Sequence, residues 1–179
     1  MPAMAAMGDG NQGITATLPV GLAAEHLGAS EEETIRALAM SCLMLFYVKI
    51  HTGRAAAFCL CAIAAAAGVA AGVGYLKGLT QAQIRAAVKN VMAPLAGMLC
   101  DGAKNACALK MSIAATSALS AVELAAAGVG AGYYDGVADY TLEQTVSCIT
   151  RIGTAAQELL DRCMVEEILA KQAREAGAP

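Results

Sequence analysis

The sequence predicts an all-α fold, a single Ala-rich domain of about six helices packed around a central apolar helix. A helix-start signal recurs along the chain, in which a Ser or Thr is followed three residues later by Glu or Gln: Ser30–Glu33, Thr80–Gln83 and Thr141–Gln144. No alternation of apolar and polar residues with a period of two lasts long enough to predict a sheet. The 179 residues suffice for one domain with its own core, so we take residues 1–179 as that domain.

Composition predicts close contacts between helices. Hydrophobic residues make up 58% of the chain, Ala is abundant and Trp is absent. Small side chains let helix axes approach one another, so the core is expected to lack large aromatic anchors. The net charge of −3 offers no basic surface for nucleic acid phosphates or an anionic membrane.

Three helices are predicted in the first part of the chain. Residues Met7–Val20 begin as a loop because they contain three glycines, and a first short helix follows Pro19 and ends near Gly28. The second helix opens at the first start signal and ends at Thr52–Gly53. The third is nearly devoid of charge, runs from about Arg54 to Leu76, and is the predicted central helix.

Three further helices complete the prediction. The fourth runs from the second start signal toward Leu95, and an irregular connection follows over Gly97–Lys104, where Gly and Pro weaken the helical pattern. The fifth covers roughly Asn105–Ala127. After the Gly128–Gly136 loop, the third start signal opens the last helix, which ends near Ala173.

The segment Ala55–Leu76 is also long enough to cross a bilayer. It consists mostly of Ala and Gly, which have little preference for lipid, and it carries Cys59 and Cys61. We therefore predict a buried central helix, with a membrane span as the alternative.

The seven cysteines favour metal binding or burial over disulfides. Residues Met1–Met7 lack a basic region followed by a long apolar run, so we expect no secretory signal and a cytoplasmic protein. The cytosol keeps thiols reduced, and an odd number of cysteines leaves at least one unpaired.

The spacing of four cysteines suggests a metal centre. Cys100 and Cys107 bracket a polar turn, and the Cys59-x-Cys61 pair lies upstream. Three thiolates from separate segments, Cys61, Cys100 and Cys107, suit an iron–sulfur cluster, whose ligands need only meet in space. Three ligands without a fourth would leave one iron free to bind substrate. Spacing alone leaves open that these cysteines fill helix contacts, the interpretation favoured for Cys42, Cys148 and Cys163.

Charged and glycine-rich residues offer further candidates. Lys104 lies between two of the thiols, where a cation lowers thiol pKa and can hold a substrate carboxylate, and it is our candidate catalytic residue. Asp101 and Lys110 suit this role and a solvated helix cap equally. The Gly8–Gly13 loop can present backbone groups to a small polar ligand, but no Gly-Lys-Ser/Thr follows as in a phosphate loop.

Three motifs together resemble a known family. They are Gly10–Val20 (Gly-Asn-Gln-Gly-Ile-Thr-Ala-Thr-Leu-Pro-Val), Cys61–Ala65 (Cys-Ala-Ile-Ala-Ala), and Cys100–Lys104 with Cys107–Lys110. In this order and spacing the chain resembles the serine dehydratase-like alpha-subunit family, in its L-cysteine desulfidase and UPF0597 branch. The resemblance implies a [4Fe-4S] lyase that removes the β-substituent of a small L-amino acid. It favours L-cysteine, giving pyruvate, ammonia and hydrogen sulfide, over L-serine.

The resemblance also implies site residues. Cys100, Cys107 and Cys61 are the implied cluster ligands, with Cys59 as the alternative to Cys61. The residues similar to a loop lining the family's active site are Asn11, Gln12, Gly13 and Thr15.

Finally, the resemblance implies a partner. Full-length family members are more than twice this long, so we expect this chain to correspond to their C-terminal, cluster-bearing part. A separate subunit equivalent to the N-terminal half, or a homo-oligomer, would complete the enzyme. The alternatives are a serine dehydratase-type subunit and a non-catalytic helical subunit whose cysteines are buried filler.

Overall fold

The computed structural model describes residues 3–53, 57–175 and 177, and within these ranges the chain forms six helices and no strand. The predicted all-α fold is confirmed. The helices are α1 (Gly10–His26), α2 (Glu31–Thr52), α3 (Leu60–Leu76), α4 (Gln81–Leu95), α5 (Cys107–Ala126) and α6 (Leu142–Glu175).

Helix α3 is the centre of the molecule. It contacts α1, α2, α4 and α5, while α6 packs between α2 and α4 and completes the surrounding ring. Residues 62–74 of α3 are buried all round, as expected of a helix that is apolar on every side. The predicted central helix is confirmed. Its expected start at Arg54 lies outside the described residues, and Ala57–Cys59 are not helical but precede the helix.

Two glycines let α2 pack directly on the α3 backbone. A Cβ atom on Gly68 would stand 2.6 Å from the carbonyl oxygen of Ser41, and one on Gly72 would stand 2.8 Å from that of Ala37. Both distances are far below van der Waals contact, so only glycine fits. The Ser41 hydroxyl donates to the Ala16 carbonyl oxygen at 2.7 Å, which joins α2 to α1 as well.

The three predicted helix starts are confirmed. Ser30 and Glu33 form a reciprocal capping box before α2, and Thr80 and Gln83 form another before α4. At α6 the Thr141 backbone N–H donates to Gln144 Oε1 at 3.1 Å, and the Gln144 N–H donates to Thr141 Oγ1 at 3.1 Å. Each box satisfies backbone donors that the first helical turn leaves free.

The first helix is longer than predicted. Helix α1 begins at Gly10 and contains Pro19, so the expectation that the first helix follows Pro19 was wrong. The Asp9 side chain caps it, because its Oδ1 accepts a hydrogen bond from the Gln12 N–H at 3.2 Å. Ala16 and Val20 are completely buried one turn apart, and this burial outweighs the weak helix propensity of the glycines.

Two helices, α2 and α5, are long and apolar enough to cross a membrane by length and composition alone. Core helices of soluble proteins pass the same test, so the observation carries little weight. Each packs one side onto α3, with Leu45 of α2 and Val122 of α5 fully buried. Of the segment considered as a span from its sequence, Leu60–Leu76 is the buried helix α3, as predicted.

Candidate functional site

A short antiparallel pairing joins two cysteine-bearing segments. The Cys59 N–H donates to the Met98 carbonyl oxygen at 2.7 Å, and the Cys100 N–H donates to the Ala57 carbonyl oxygen at 2.9 Å. Phe58 and Leu99 form the bridged pair between them. Cys59 and Cys100 therefore flank the same pairing, although they are distant in sequence.

The Cys59–Cys61 pair lies at the start of α3, against the start of α1. The Cys61 thiol donates to Asp9 Oδ2 at 2.9 Å, and Gln12 Nε2 lies 3.7 Å from the same sulfur. Asp9 therefore caps α1 with one carboxylate oxygen and holds Cys61 with the other. Cys59 is buried, whereas Cys61 is half-buried.

The two thiols of this pair have opposite protonation preferences. The neighbouring Cys61 side chain lowers the pKa of Cys59 to about 6, with help from the Ala62 N–H and the charge of Lys110, and against the effect of burial. The pKa of Cys61 is raised by the neighbouring Cys59 sulfur, by burial and by the Asp9 carboxylate. The arrangement favours a Cys59 thiolate beside a Cys61 thiol.

The second pair of cysteines flanks a turn that Lys110 closes. Cys107 is the first residue of α5, and its Sγ lies 3.5 Å from the Gly102 carbonyl oxygen. Lys110, one turn later, donates to the Leu99 carbonyl oxygen at 2.9 Å and pairs with the Asp101 carboxylate. The hydrogen bond from Lys110 lowers the pKa of Asp101.

Lys110 is the cation that the structure places beside the segment between Cys59 and Cys100 in the backbone pairing, at Leu99 and Asp101. Burial by itself lowers its pKa, but the Asp101 hydrogen bond and the negative charges of Asp101, Cys59 and Cys107 more than offset this and raise it. Lys110 therefore stays protonated beside the paired segments, where it donates to the Leu99 carbonyl oxygen. Its i, i+3 spacing from Cys107 on one helix is a sequence signal that would have favoured it, but the sequence analysis chose Lys104.

Lys104, the candidate catalytic residue from the sequence, is exposed at the tip of the turn. Its ammonium contacts the Asp101 backbone carbonyl and lies 3.8 Å from Asp101 Oδ2. The sequence analysis also missed the side-chain role of Asp9. The signal was its position, directly before the first residue of a helix.

The four residues implied to bind substrate lie in the first turns of α1. Gln12 and Thr15 are 2% and 3% exposed. Gln12 Oε1 and Thr15 Oγ1 are buried without a hydrogen-bond partner among the described residues. Asn11 is half-buried. Gly13 is required sterically, because a Cβ atom there would stand 1.7 Å from the Met4 carbonyl oxygen.

The donor chemistry of this end of the molecule fits an iron–sulfur cluster. Soft thiolate ligands select such clusters, and the residues present are the Cys59–Cys61 pair, Cys100 and Cys107, with a cation and two unpartnered polar atoms nearby. Over the described ranges, however, no three His, Cys, Asp or Glu side chains stand in a group that could hold a metal ion. The fit therefore lies in the identity of the donors and in the pairing of two cysteine-bearing segments, not in a preformed ligand geometry.

Comparison with known proteins assigns the family. The family described as serine dehydratase alpha chain matches residues 1–166. A UPF0597 protein of Desulforapulum autotrophicum is 44% identical over 82% of this chain and 33% of its own length. Another, of Phocaeicola vulgatus, is 42% identical over 96% of this chain and 40% of its own, and one of Clostridium tetani is 36% identical over 94% and 40%. No solved structure matches the chain.

The structure defines an all-α domain whose central helix begins at a Cys-x-Cys pair, with the backbone of the Cys100 segment paired to it. The chain belongs to the serine dehydratase alpha chain family, as its sequence resemblance predicted. It spans about two fifths of the length of the UPF0597 relatives.

Proposed function

We propose that this chain is the cluster-bearing part of a [4Fe-4S] lyase acting on a small L-amino acid. The favoured reaction converts L-cysteine and water into pyruvate, ammonia and hydrogen sulfide, and dehydration of L-serine is the alternative. The observation that carries the proposal is that backbone pairing joins the Cys59–Cys61 segment to the Cys100 segment, at the place where Cys61 contacts Gln12. The buried Gln12 Oε1 and Thr15 Oγ1 lack hydrogen-bond partners among the described residues. Membership of a family described as serine dehydratase supports it.

Cys61, Cys100 and Cys107 are the proposed cluster ligands, with Cys59 as the alternative third ligand. Two sets of interactions bear on the choice between Cys59 and Cys61. Cys59 and Cys107 both raise the pKa of the Lys110 ammonium, whereas Cys61 is hydrogen-bonded to Asp9 and Gln12 of the α1 side. A bound cluster would supply a Lewis-acidic iron that assists departure of the β-substituent.

The chain's own polar groups account for substrate binding. The buried Gln12 Oε1 and Thr15 Oγ1 can accept hydrogen bonds from the substrate ammonium, and this would remove the cost of leaving them unpaired. The cations at the turn, Lys110 and the more exposed Lys104, can hold its carboxylate. Asp9 fixes the Cys61 side chain through its hydrogen bond.

The remainder of the active site is proposed to come from another polypeptide. The chain spans about two fifths of its relatives' length, and the name of the family denotes one chain of several. A subunit equivalent to the N-terminal part, or a second copy of this chain, would complete the site. We place the enzyme in the cytoplasm, where the thiols stay reduced.

Anaerobic reconstitution tests this proposal. Protein treated with ferrous iron and sulfide should turn brown and absorb broadly near ~400 nm, as thiolate-ligated clusters generally do. Cys100→Ser and Cys107→Ser should lose the bound iron, while the matched control Cys148→Ser on α6 should retain it. Comparing Cys59→Ser with Cys61→Ser identifies the third ligand.

Turnover is measured separately from cluster binding. Reconstituted protein is assayed for pyruvate with L-cysteine and with L-serine, and for sulfide with L-cysteine. Protein that stays colourless and free of iron would contradict the proposal and favour a non-catalytic subunit with buried cysteines. An intact cluster without turnover would assign the missing groups to the second polypeptide.

A further inference from the structure

An apolar groove between α1 and α5 leads away from the candidate site. Its volume is about 570 Å³, and its walls include Leu18 and Leu22 of α1, Ala115 and Leu119 of α5, with Val73 of α3 as the floor. An ion pair between Lys77 and Glu123 lies at its far end.

The walls of this groove are exposed leucines. Leu18 and Leu22 are 56% and 57% exposed, and Leu119 is 41% exposed. Single exposed leucines are ordinary on a protein surface, but leucines facing one another across a groove are typical of an interaction site. The groove therefore offers a contiguous apolar surface to a partner.

The groove begins at Leu18, about one helical turn beyond Thr15 of the candidate site. Helices α1 and α5 both begin there, at Gly10 and Cys107, and equivalent turns of the two helices line the groove together. Asn11, Thr15, Leu18 and Leu22 follow one side of α1, since they are spaced by four, three and four residues. The side of α1 that carries two proposed substrate-binding residues thus runs into the groove wall.

We propose that this groove docks the polypeptide that carries the rest of the family's sequence. The UPF0597 relatives hold, in one chain, a region similar to this domain and further sequence that this chain does not match. The unmatched sequence makes up about three fifths of the relatives' own length. That additional part must pack on a face of the domain if it is to reach the site. The groove is an apolar surface that begins at Leu18, about one helical turn beyond Thr15, so a segment lying in it brings its neighbours close to Thr15.

The inference rests on the proposed function in one respect, that a second polypeptide completes the site. What it adds is the location of the surface on which that polypeptide docks. A substitution within the groove should therefore weaken assembly while leaving the cysteines and their metal binding unchanged. The complex can also be measured in iron-free protein, which separates this inference from the cluster proposal.

Co-expression with the unmatched part of the Phocaeicola vulgatus relative tests the docking surface. A tagged form of this chain is purified without iron, and the co-purified fragment is quantified. Leu22→Glu should reduce the fragment bound by at least about tenfold, equivalent to about 1.4 kcal/mol, because a carboxylate would be buried in an apolar groove. The matched control is Leu169→Glu on α6, whose side chain is 58% exposed, and it should bind as the unaltered chain does. Leu18→Gln provides a second, uncharged test of the groove.

Four results would overturn the proposal. The first is that the unaltered chain fails to bind the fragment, and the second is that Leu22→Glu binds as much fragment as the unaltered chain. The third is a homodimer of this chain that Leu22→Glu dissociates. The fourth is binding to phosphatidylglycerol vesicles that Leu22→Glu abolishes. The third would make a second copy the occupant, and the fourth would make it a membrane surface. Circular dichroism and thermal unfolding establish that each variant is folded, as expected for substitutions at half-exposed positions.

Discussion

The Cys61 thiol donates a hydrogen bond to the Asp9 carboxylate, with 2.9 Å between sulfur and oxygen. The two residues are 52 positions apart, and the contact joins the first turn of α3 to the N-cap of α1. The same carboxylate accepts the Gln12 N–H with its other oxygen. Asp9 thereby links the stability of α1 to the position of a proposed cluster ligand.

Substitutions of Asp9 should separate these two contributions. Asp9→Ala removes the cap and should lower the free energy of unfolding by about 1 kcal/mol, whereas Asp9→Asn keeps a good capping side chain and should cost only a few tenths. Both variants lose the carboxylate beside Cys61 and should retain less iron after reconstitution. Urea unfolding and iron analysis measure the two effects, and equal destabilisation by Ala and Asn would contradict the capping role.

Glycines in different surroundings predict changes of opposite sign in the free energy of unfolding. Gly68→Ala and Gly72→Ala should each lower the free energy of unfolding by about 1–3 kcal/mol, because the added methyl group collides with the α2 backbone. Gly21→Ala in α1 meets nothing within 4 Å and should raise it by about 0.5–1 kcal/mol. Chemical denaturation of the three variants tests the contrast. Stabilisation by Gly68→Ala would show that the helices are farther apart.

An exposed ion pair between α4 and α6 predicts a small dependence of stability on pH. Arg85 donates to Glu143 at 2.6 Å and lowers the pKa of that carboxyl. Because the folded pKa lies below the unfolded value of about 4.3, the contribution is present above that pH and is lost as the pH falls through the folded pKa. Both side chains are half-exposed, so the contribution is small, about 0.5 kcal/mol.

The Glu143→Gln variant measures this contribution. Its unfolding free energy should fall less between pH 7 and pH 3 than that of the unaltered protein (about 0.5 kcal/mol less). Glu158→Gln, an exposed carboxylate further along α6, provides the control. An identical acid dependence in Glu143→Gln and the unaltered protein would rule out a contribution from the pair.

The capping box of α4 predicts a local loss of stability. Thr80→Ala removes the hydroxyl that accepts the Gln83 N–H and should lower the free energy of unfolding by about 1 kcal/mol. Thr116→Ala in the exposed middle of α5 is the matched control and should change stability by at most a few tenths, since Ala favours a helix interior. Similar losses in both variants would indicate that the hydroxyl does not act as a cap.

Local signals in the sequence predicted much of the fold. The three capping boxes are complete within four residues, so they form wherever the chain starts a helix. The central helix was predicted because α3 has no polar side to turn toward water. The start of α1 was missed, since its glycines weaken the local preference while the burial of Ala16 and Val20 depends on α2 and α3.

The sequence by itself determined the helix starts, the apolar central helix, the motifs of the family and the cysteines proposed as ligands. Only the tertiary structure decided how these residues meet. It paired Cys59 with Met98, placed Asp9 on Cys61, and joined Lys110 to the Asp101 carboxylate and the Leu99 carbonyl oxygen. The physical reason is the separation along the chain of the residues that interact. A cap or an apolar stripe depends on residues within a few positions, whereas these contacts form only after α1, α4 and α5 have packed around α3.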